Sequence, residues 1–256
     1  MLSMVKAISL NGLEGHLIDV QTNIMSGIPS FEIIGLPDTT VKEAKERVKT
    51  AIKNLKYQFP SKKILINLAP ANLRKGGSKF DLPIAVGILL SMGIISPAIQ
   101  NKLFNTIFIG EISLSGKINK VNGVLPMCIE ARSLGIKRVI LPAANSHEAA
   151  VVKDLEIIPV KTLKEVVEYL NGVHKIEPLQ VNVQDIFESS LNSKIDFSEV
   201  KGQENVKRAL EISAAGGHNC LLIGSPGSRK NNACKKSVNN FTKFNFWRSI
   251  RNNKNT

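Results

Sequence analysis

The chain has 256 residues, 43% of them hydrophobic and 21% charged, and a formal net charge of +13. That apolar share suits one large or two modest packed domains and excludes a chain disordered throughout. The charge points to nucleic acid or another anionic surface, but it is unevenly placed. Arg229, Lys230, Lys235, Lys236, Lys243, Arg248, Arg251 and Lys254 lie in a stretch without a single acidic residue, so the first 228 residues carry only +5.

Cys128, Cys220 and Cys234 are far apart and form no C-x-x-C pair. A disulfide framework and a structural zinc site are therefore not expected. Met1 to Lys6 has no charged segment running into a long apolar one, so no leader peptide is expected. The longest apolar stretch, Leu82 to Ile95, is too short to span a bilayer. The expectation is a soluble cytoplasmic protein with no membrane partner.

Leu17 to Thr22 alternates apolar and polar residues, as a half-buried strand does. Phe31 to Gly35 reads as a strand and Leu36-Pro37-Asp38 as its turn. Thr40-Val41-Lys42-Glu43 has capping-box spacing, with apolar residues following along one helical face to Leu55. The charged set Lys42, Glu43, Lys45, Glu46, Arg47 and Lys49 reads as that helix's solvated side. Lys62 to Leu68 is a buried-type strand. A polar loop, Asn72 to Lys79, leads into an apolar helix from Leu82. Thr106 to Gly110 is a strand, Glu111 to Val121 a hairpin, and Leu125 to Leu134 a helix stopped by Gly135. Strands at Arg138 to Leu141 and Leu155 to Val160 precede a helix from Leu163 to Leu170. This is a mixed α/β domain over residues 1–172.

Residues 173–197 lose periodicity and read as a linker. A second unit opens over 198–230, with a helix from Gln203 to Ala215 and a buried strand at Asn219 to Ile223. Gly224-Ser225-Pro226-Gly227-Ser228-Arg229-Lys230-Asn231 follows that strand. A phosphate loop needs G-x-x-x-x-G-K-[ST] there: glycines turn backbone amides onto phosphate, the lysine reaches the terminal phosphates, and the hydroxyl holds Mg²⁺. Gly224, Ser225, Pro226, Gly227, Ser228 and Lys230 keep the pattern of a degenerate nucleotide-binding loop. Arg229 replaces a glycine and Asn231 replaces the hydroxyl residue. No amphipathic helix follows in residues 232–240, and a helix N-terminus is half of such a site.

Together these segments resemble the ComM/YifB family of magnesium-chelatase-like AAA+ ATPases. The resemblance rests on Gly12-Leu13-Glu14-Gly15, Gly35-Leu36-Pro37-Asp38, Asn67-Leu68-Ala69-Pro70-Ala71, Lys75 to Pro83, Gly110-Glu111-Ile112, Phe197 to Gln203 and Gly217-His218-Asn219. It implies a Lon-protease-like N-terminal domain followed by the start of a P-loop AAA+ domain. It also implies ATP and Mg²⁺ as cofactors, homo-oligomeric rings, and DNA as partner in branch migration during natural transformation. Family members continue past the phosphate loop through an acidic motif, an arginine finger and a lid. The expectation for this chain is an N-terminal fragment, cut short at the loop and lacking ATPase activity. Residues 231–256, rich in Asn, Lys and Phe, are expected to be a disordered tail read out of frame.

The Lon likeness raises a peptidase as a weaker reading. Lon-type enzymes pair a Ser with a Lys. Here Ser78 lies in the corresponding loop but Leu125 stands at the base position, and a serine without a base is a poor nucleophile. Ser78 and Lys79 are therefore expected to be loop residues, with no catalytic residue assigned. His16, His147, His174 and His218 show no ligand spacing. The loop Arg74-Lys75-Gly76-Gly77 could touch a phosphate backbone, and a stand-alone DNA- or protein-binding module is the alternative to the AAA+ reading.

Overall fold

The architecture comes from a computed structural model, which describes residues 2–11, 14–179, 202, 204–216, 218 and 220–223. The chain divides into two units, Met1–Val181 and Asn182–Thr256. The first is a mixed α/β fold around one mostly parallel sheet.

Among the described residues of the first unit there are nine strands and six α-helices. The strands are β1 (Leu2–Asn11), β2 (Glu14–Met25), β3 (Ser30–Ile34), β4 (Lys63–Ala69), β5 (Thr106–Phe108), β6 (Glu111–Ile112), β7 (Ile118–Asn119), β8 (Arg138–Pro142) and β9 (Glu156–Val160). The helices are α1 (Thr39–Asn54), α2 (Asp81–Ser91), α3 (Gln100–Leu103), α4 (Val124–Ser133), α5 (Ser146–Ala149) and α6 (Leu163–Leu170). Seven strands form one sheet in the order β3-β4-β2-β1-β5-β8-β9, and β6 pairs with β7 apart from it. The β1/β2 and β2/β4 pairs are antiparallel; every other neighbour in the large sheet is parallel. The antiparallel hairpin therefore sits inside a parallel sheet.

The sheet is covered on both faces, and the strands show it residue by residue. Phe108, Ile140 and Ile158 pack into one cluster with α1, α2 and α6; Ile107, Val139, Leu141 and Ile157 pack into the other with α4. Alternate side chains of a strand point to opposite faces, so a strand buried on both sides must be apolar throughout. That is why β8 reads as an unbroken apolar run. Helix α2 is buried from Asp81 to Leu90 and packs across β1 and β2. Each Leu or Ile buried there contributes about 1.5–3 kcal/mol relative to exposure.

Three features differ from the sequence reading. First, β1 is a ten-residue strand that the reading of the N-terminus did not anticipate. Its inward positions include Ser3 and Ser9, which blur the apolar alternation. Second, Asp38, not Thr40, caps α1: its Oδ1 accepts the Val41 amide at 2.8 Å. A carboxylate is favoured there by the helix dipole as well as by the hydrogen bond. Third, Cys220 to Ile223 is not a strand, and Leu221 and Ile223 are exposed.

Residues 173–179, assigned from sequence to the linker, partly pack on the first unit: Ile176 lies against the core, and the Leu179 amide donates to the Ile157 carbonyl at 2.8 Å. In the second unit the described residues include helix α7 (Glu204–Gly216). Leu210 is buried and meets Val206 and Leu222. The Ser213 hydroxyl donates to the His218 carbonyl at 2.5 Å, closing the helix end. Among the described residues, no helix is long and apolar enough to cross a membrane.

Candidate functional site

The loop between β4 and α2 is where the sequence motifs converge. The amide of Asp38 donates to the Lys75 carbonyl at 2.8 Å, and the Lys75 amide donates to the Leu36 carbonyl at 3.1 Å. Asp38 Oδ2 accepts the Gly77 amide at 3.1 Å. One carboxylate thus caps α1 with one oxygen and holds the loop with the other. Both glycines suit the contact, and Gly77 is demanded by its backbone. A Cβ on Gly76 would stand 2.9 Å from Asp38 Oδ2, and Gly77 has φ +88°, which L side chains rarely adopt.

Behind the loop lies a buried ion pair. Arg47 donates from Nε and Nη2 to the two oxygens of Asp81 at 2.8 and 2.9 Å, and Nη2 also donates to the Thr40 carbonyl at 3.1 Å. The Ile112 amide adds a third donor to Asp81 at 3.1 Å. Burial pushes the Asp81 carboxyl upward, while Arg47 and the Ile112 amide favour its charged form. The hydrogen bond to Asp81 raises the Arg47 guanidinium against the cost of its own burial. Arg47 therefore does not belong to the solvated helix side where the sequence placed it; its guanidinium turns onto Asp81.

On the loop's other side, the Ser78 hydroxyl donates to Glu111 Oε2. Asn119 Nδ2 donates to Glu111 Oε1 at 3.2 Å. The Ser78 hydroxyl is thus held by a carboxylate on β6, not by a lysine. Lys79 turns away, donating to the Gly76 carbonyl at 2.7 Å and lying 5.3 Å from the Phe80 ring centre. Leu125, expected from sequence at the position of a Lon-type base, lies on α4. The arrangement braces the loop through Ser78, Glu111 and Asn119.

Lys75 is completely buried, with its ammonium donating to the Pro70 carbonyl. Burial lowers the affinity of both Lys75 and Lys79 for their protons. The loop reading is corrected accordingly: Arg74 is exposed, but Lys75 faces inward and cannot meet a phosphate backbone. The sequence flagged Asp38, Asp81 and Glu111 only as parts of motifs. Their partners Arg47 and Asn119 carried no separate signal, because an Arg on a charged helix face looks solvated until the fold is known.

The six residues of the candidate phosphate loop, Gly224, Ser225, Pro226, Gly227, Ser228 and Lys230, lie outside the described residues. Among the described residues, no cluster of His, Cys, Asp and Glu could hold a metal ion.

Comparison with known proteins places both units. A family profile described as subunit ChlI of Mg-chelatase matches residues 20–145, and a second, magnesium chelatase subunit ChlI, matches residues 196–244. The chain is 38% identical over 233 residues to competence protein ComM of Haemophilus influenzae and 39% identical over 229 residues to YifB of Escherichia coli. Each match covers 90% of this chain. The chain belongs to the ComM/YifB family. It spans 44% of the length of those two relatives. Lon protease 2 of Bacillus subtilis is 30% identical over 174 residues, 60% of this chain and 30% of that protease. In this chain the loop serine, Ser78, is tied to Glu111. The second profile runs past Lys230 to residue 244, further than the motifs read from sequence.

Proposed function

We propose that this chain carries the N-terminal region of a ComM-like AAA+ protein that uses ATP and Mg²⁺ in DNA processing; one relative is named competence protein ComM. The reading divides it into a Lon-like domain over 1–172, a linker over 173–197, the start of a P-loop domain over 198–230, and a basic tail over 231–256. The observation that carries it is the pair of ChlI profile matches in chain order, the second crossing Gly224 to Lys230. DNA and assembly into rings come with the family likeness.

In this chain the loop itself is a poor ATPase. Gly224, Gly227 and Lys230 have the chemistry to cradle phosphates, but Arg229 stands where glycine belongs and Asn231 lacks the hydroxyl that holds Mg²⁺. The basic, acid-free composition after Ser228 supports an out-of-frame reading of the tail, while the second profile's match through residue 244 counts against one that begins at Arg229. Resequencing the gene and finding no ATPase core in the neighbouring frame sinks that part.

The test is nucleotide binding by the whole chain, with Lys230→Ala as control. Negligible ATP hydrolysis and weak binding of a labelled ATP analogue are expected. Micromolar binding that Lys230→Ala abolishes overturns the inactive reading. A stand-alone DNA- or protein-binding module is the second reading, favoured by the complete two-sided core of the first unit. A peptidase is disfavoured by the Ser78–Glu111 bond and by Leu125.

A further inference from the structure

The outer flank of α1 carries a feature that the loop and the family likeness do not use. Lys45, Lys49 and Lys53 recur every four residues and line one side of an open groove with a volume of about 360 Å³. Phe31, Phe59 and Lys62 line it too. A neighbouring hollow of about 600 Å³ shares Lys53 and Phe59 and adds Lys56 and Tyr57. Glu46 is the one carboxylate among the residues lining the two.

The lysines are uncompensated. Elsewhere the helices pair their charges at three or four residues: Glu43 with Arg47, Lys164 with Glu168, Lys207 with Glu204, Arg208 with Glu211. Among the described residues, none of the five groove lysines has a carboxylate within ion-pair distance. Like charges four residues apart work against a helix, so this face is adapted to something other than the helix's own stability. A polyanion supplies the missing charge.

The rings say which polyanion. Phe31 and Phe59 pack at 6.0 Å between centres, tilted by 33°, and both are half-buried, as is Tyr57. Ring faces beside cations hold unpaired bases by stacking. Bases in a duplex are already stacked on one another and cannot enter such a groove. Lysines four residues apart on a helix are separated by about 6 Å along its axis, comparable with successive phosphates on an extended strand. We infer that the groove between α1, β3 and the Tyr57–Lys62 segment binds single-stranded nucleic acid, its phosphates on Lys45, Lys49 and Lys53 and its bases against Phe59 and Tyr57.

This deepens the DNA-processing reading and rests on it for context, but it makes its own demand on α1. The test measures binding of a short labelled single strand to the full chain across a salt series. The triple variant Lys45→Gln/Lys49→Gln/Lys53→Gln is compared with a charge-matched tail variant, Lys235→Gln/Lys236→Gln/Lys243→Gln. Thermal melting checks that both fold. The groove variant is expected to bind about tenfold more weakly and to lower the salt slope by about two, since each lost phosphate contact on a single strand removes about 0.7. A tail variant that weakens while the groove variant binds normally overturns the groove and leaves the DNA reading standing. A chain that binds no strand at all overturns both. An abasic strand held as tightly as a base-bearing one overturns the stacking contact. Loss of binding to phosphatidylserine vesicles, with oligonucleotide binding unchanged in the groove variant, assigns the groove to a lipid surface and overturns the inference.

Discussion

Arg47 and Asp81 are 34 residues apart in sequence, yet they meet through two parallel hydrogen bonds that tie the middle of α1 to the first residue of α2. Asp81 is fully buried, so its charge depends on this partner. Removing one member of a buried pair strands the other and costs about 3–5 kcal/mol. Arg47→Met is expected to destabilise the chain by about that much in urea unfolding. Arg47→Met/Asp81→Leu is expected to recover part of the loss, because no buried charge remains. A double variant less stable than the single one contradicts this account.

Asp38 serves α1 and the loop at once. Asp38→Ala removes an N-cap, which costs about 1 kcal/mol, and frees the Gly77 amide as well. The expected loss therefore exceeds that of Thr162→Ala, which removes only the cap of α6 through its bond to the Glu165 amide. Chemical denaturation of both variants compares them directly. Equal losses mean that the loop contact contributes nothing.

Burial lowers the Lys79 ammonium below its usual 10.5, against the pull of Asp38. Between the lowered value and 10.5, the unfolded chain holds a proton that the folded chain has released. Stability from this group therefore rises with pH across that window and is absent below it. Wild type is expected to gain on Lys79→Met as pH climbs toward 10.5, measured as the difference in unfolding free energy. A difference that shrinks with pH reverses the sign and rules out burial as the controlling effect.

The Ser78 hydroxyl is engaged with Glu111. A serine-directed fluorophosphonate is expected to leave Ser78 unmodified, read by peptide mass mapping. Ser78→Ala is expected to lower stability by about 1 kcal/mol, the net worth of one hydrogen bond. Stoichiometric labelling at Ser78 would restore the peptidase reading.

The elements that sequence made legible are those whose periodicity is undiluted. Helix α6 has its observed bounds because Thr162 caps it and its buried residues Leu163, Val166, Val167 and Leu170 fall on one face. Strands β8 and β9 announce themselves as apolar runs. Strand β1 did not, since two of its inward residues are serines. Ser3 is satisfied by the Gly87 carbonyl, a partner 84 residues away that no local pattern reveals. The loop site was legible as motifs but not as a mechanism. Gly76, Gly77 and Asp38 could be quoted from sequence, whereas Arg47 and Asn119 acquire their roles only through contacts between distant segments. The groove was hidden for the same reason: Lys49 and Phe59 belong to different elements.

The placement of β1 has a consequence for how the chain is made. Strand β1 closes a hairpin with β2 by Met25, but its other edge waits for β5, with Lys6 opposite Ile107. The open edge of β2 is taken by β4 at Lys63–Ala69, whereas the open edge of β1 stays unpaired until Thr106–Phe108 has followed. Long-range parallel pairing of this kind is slow and exposes edges to aggregation.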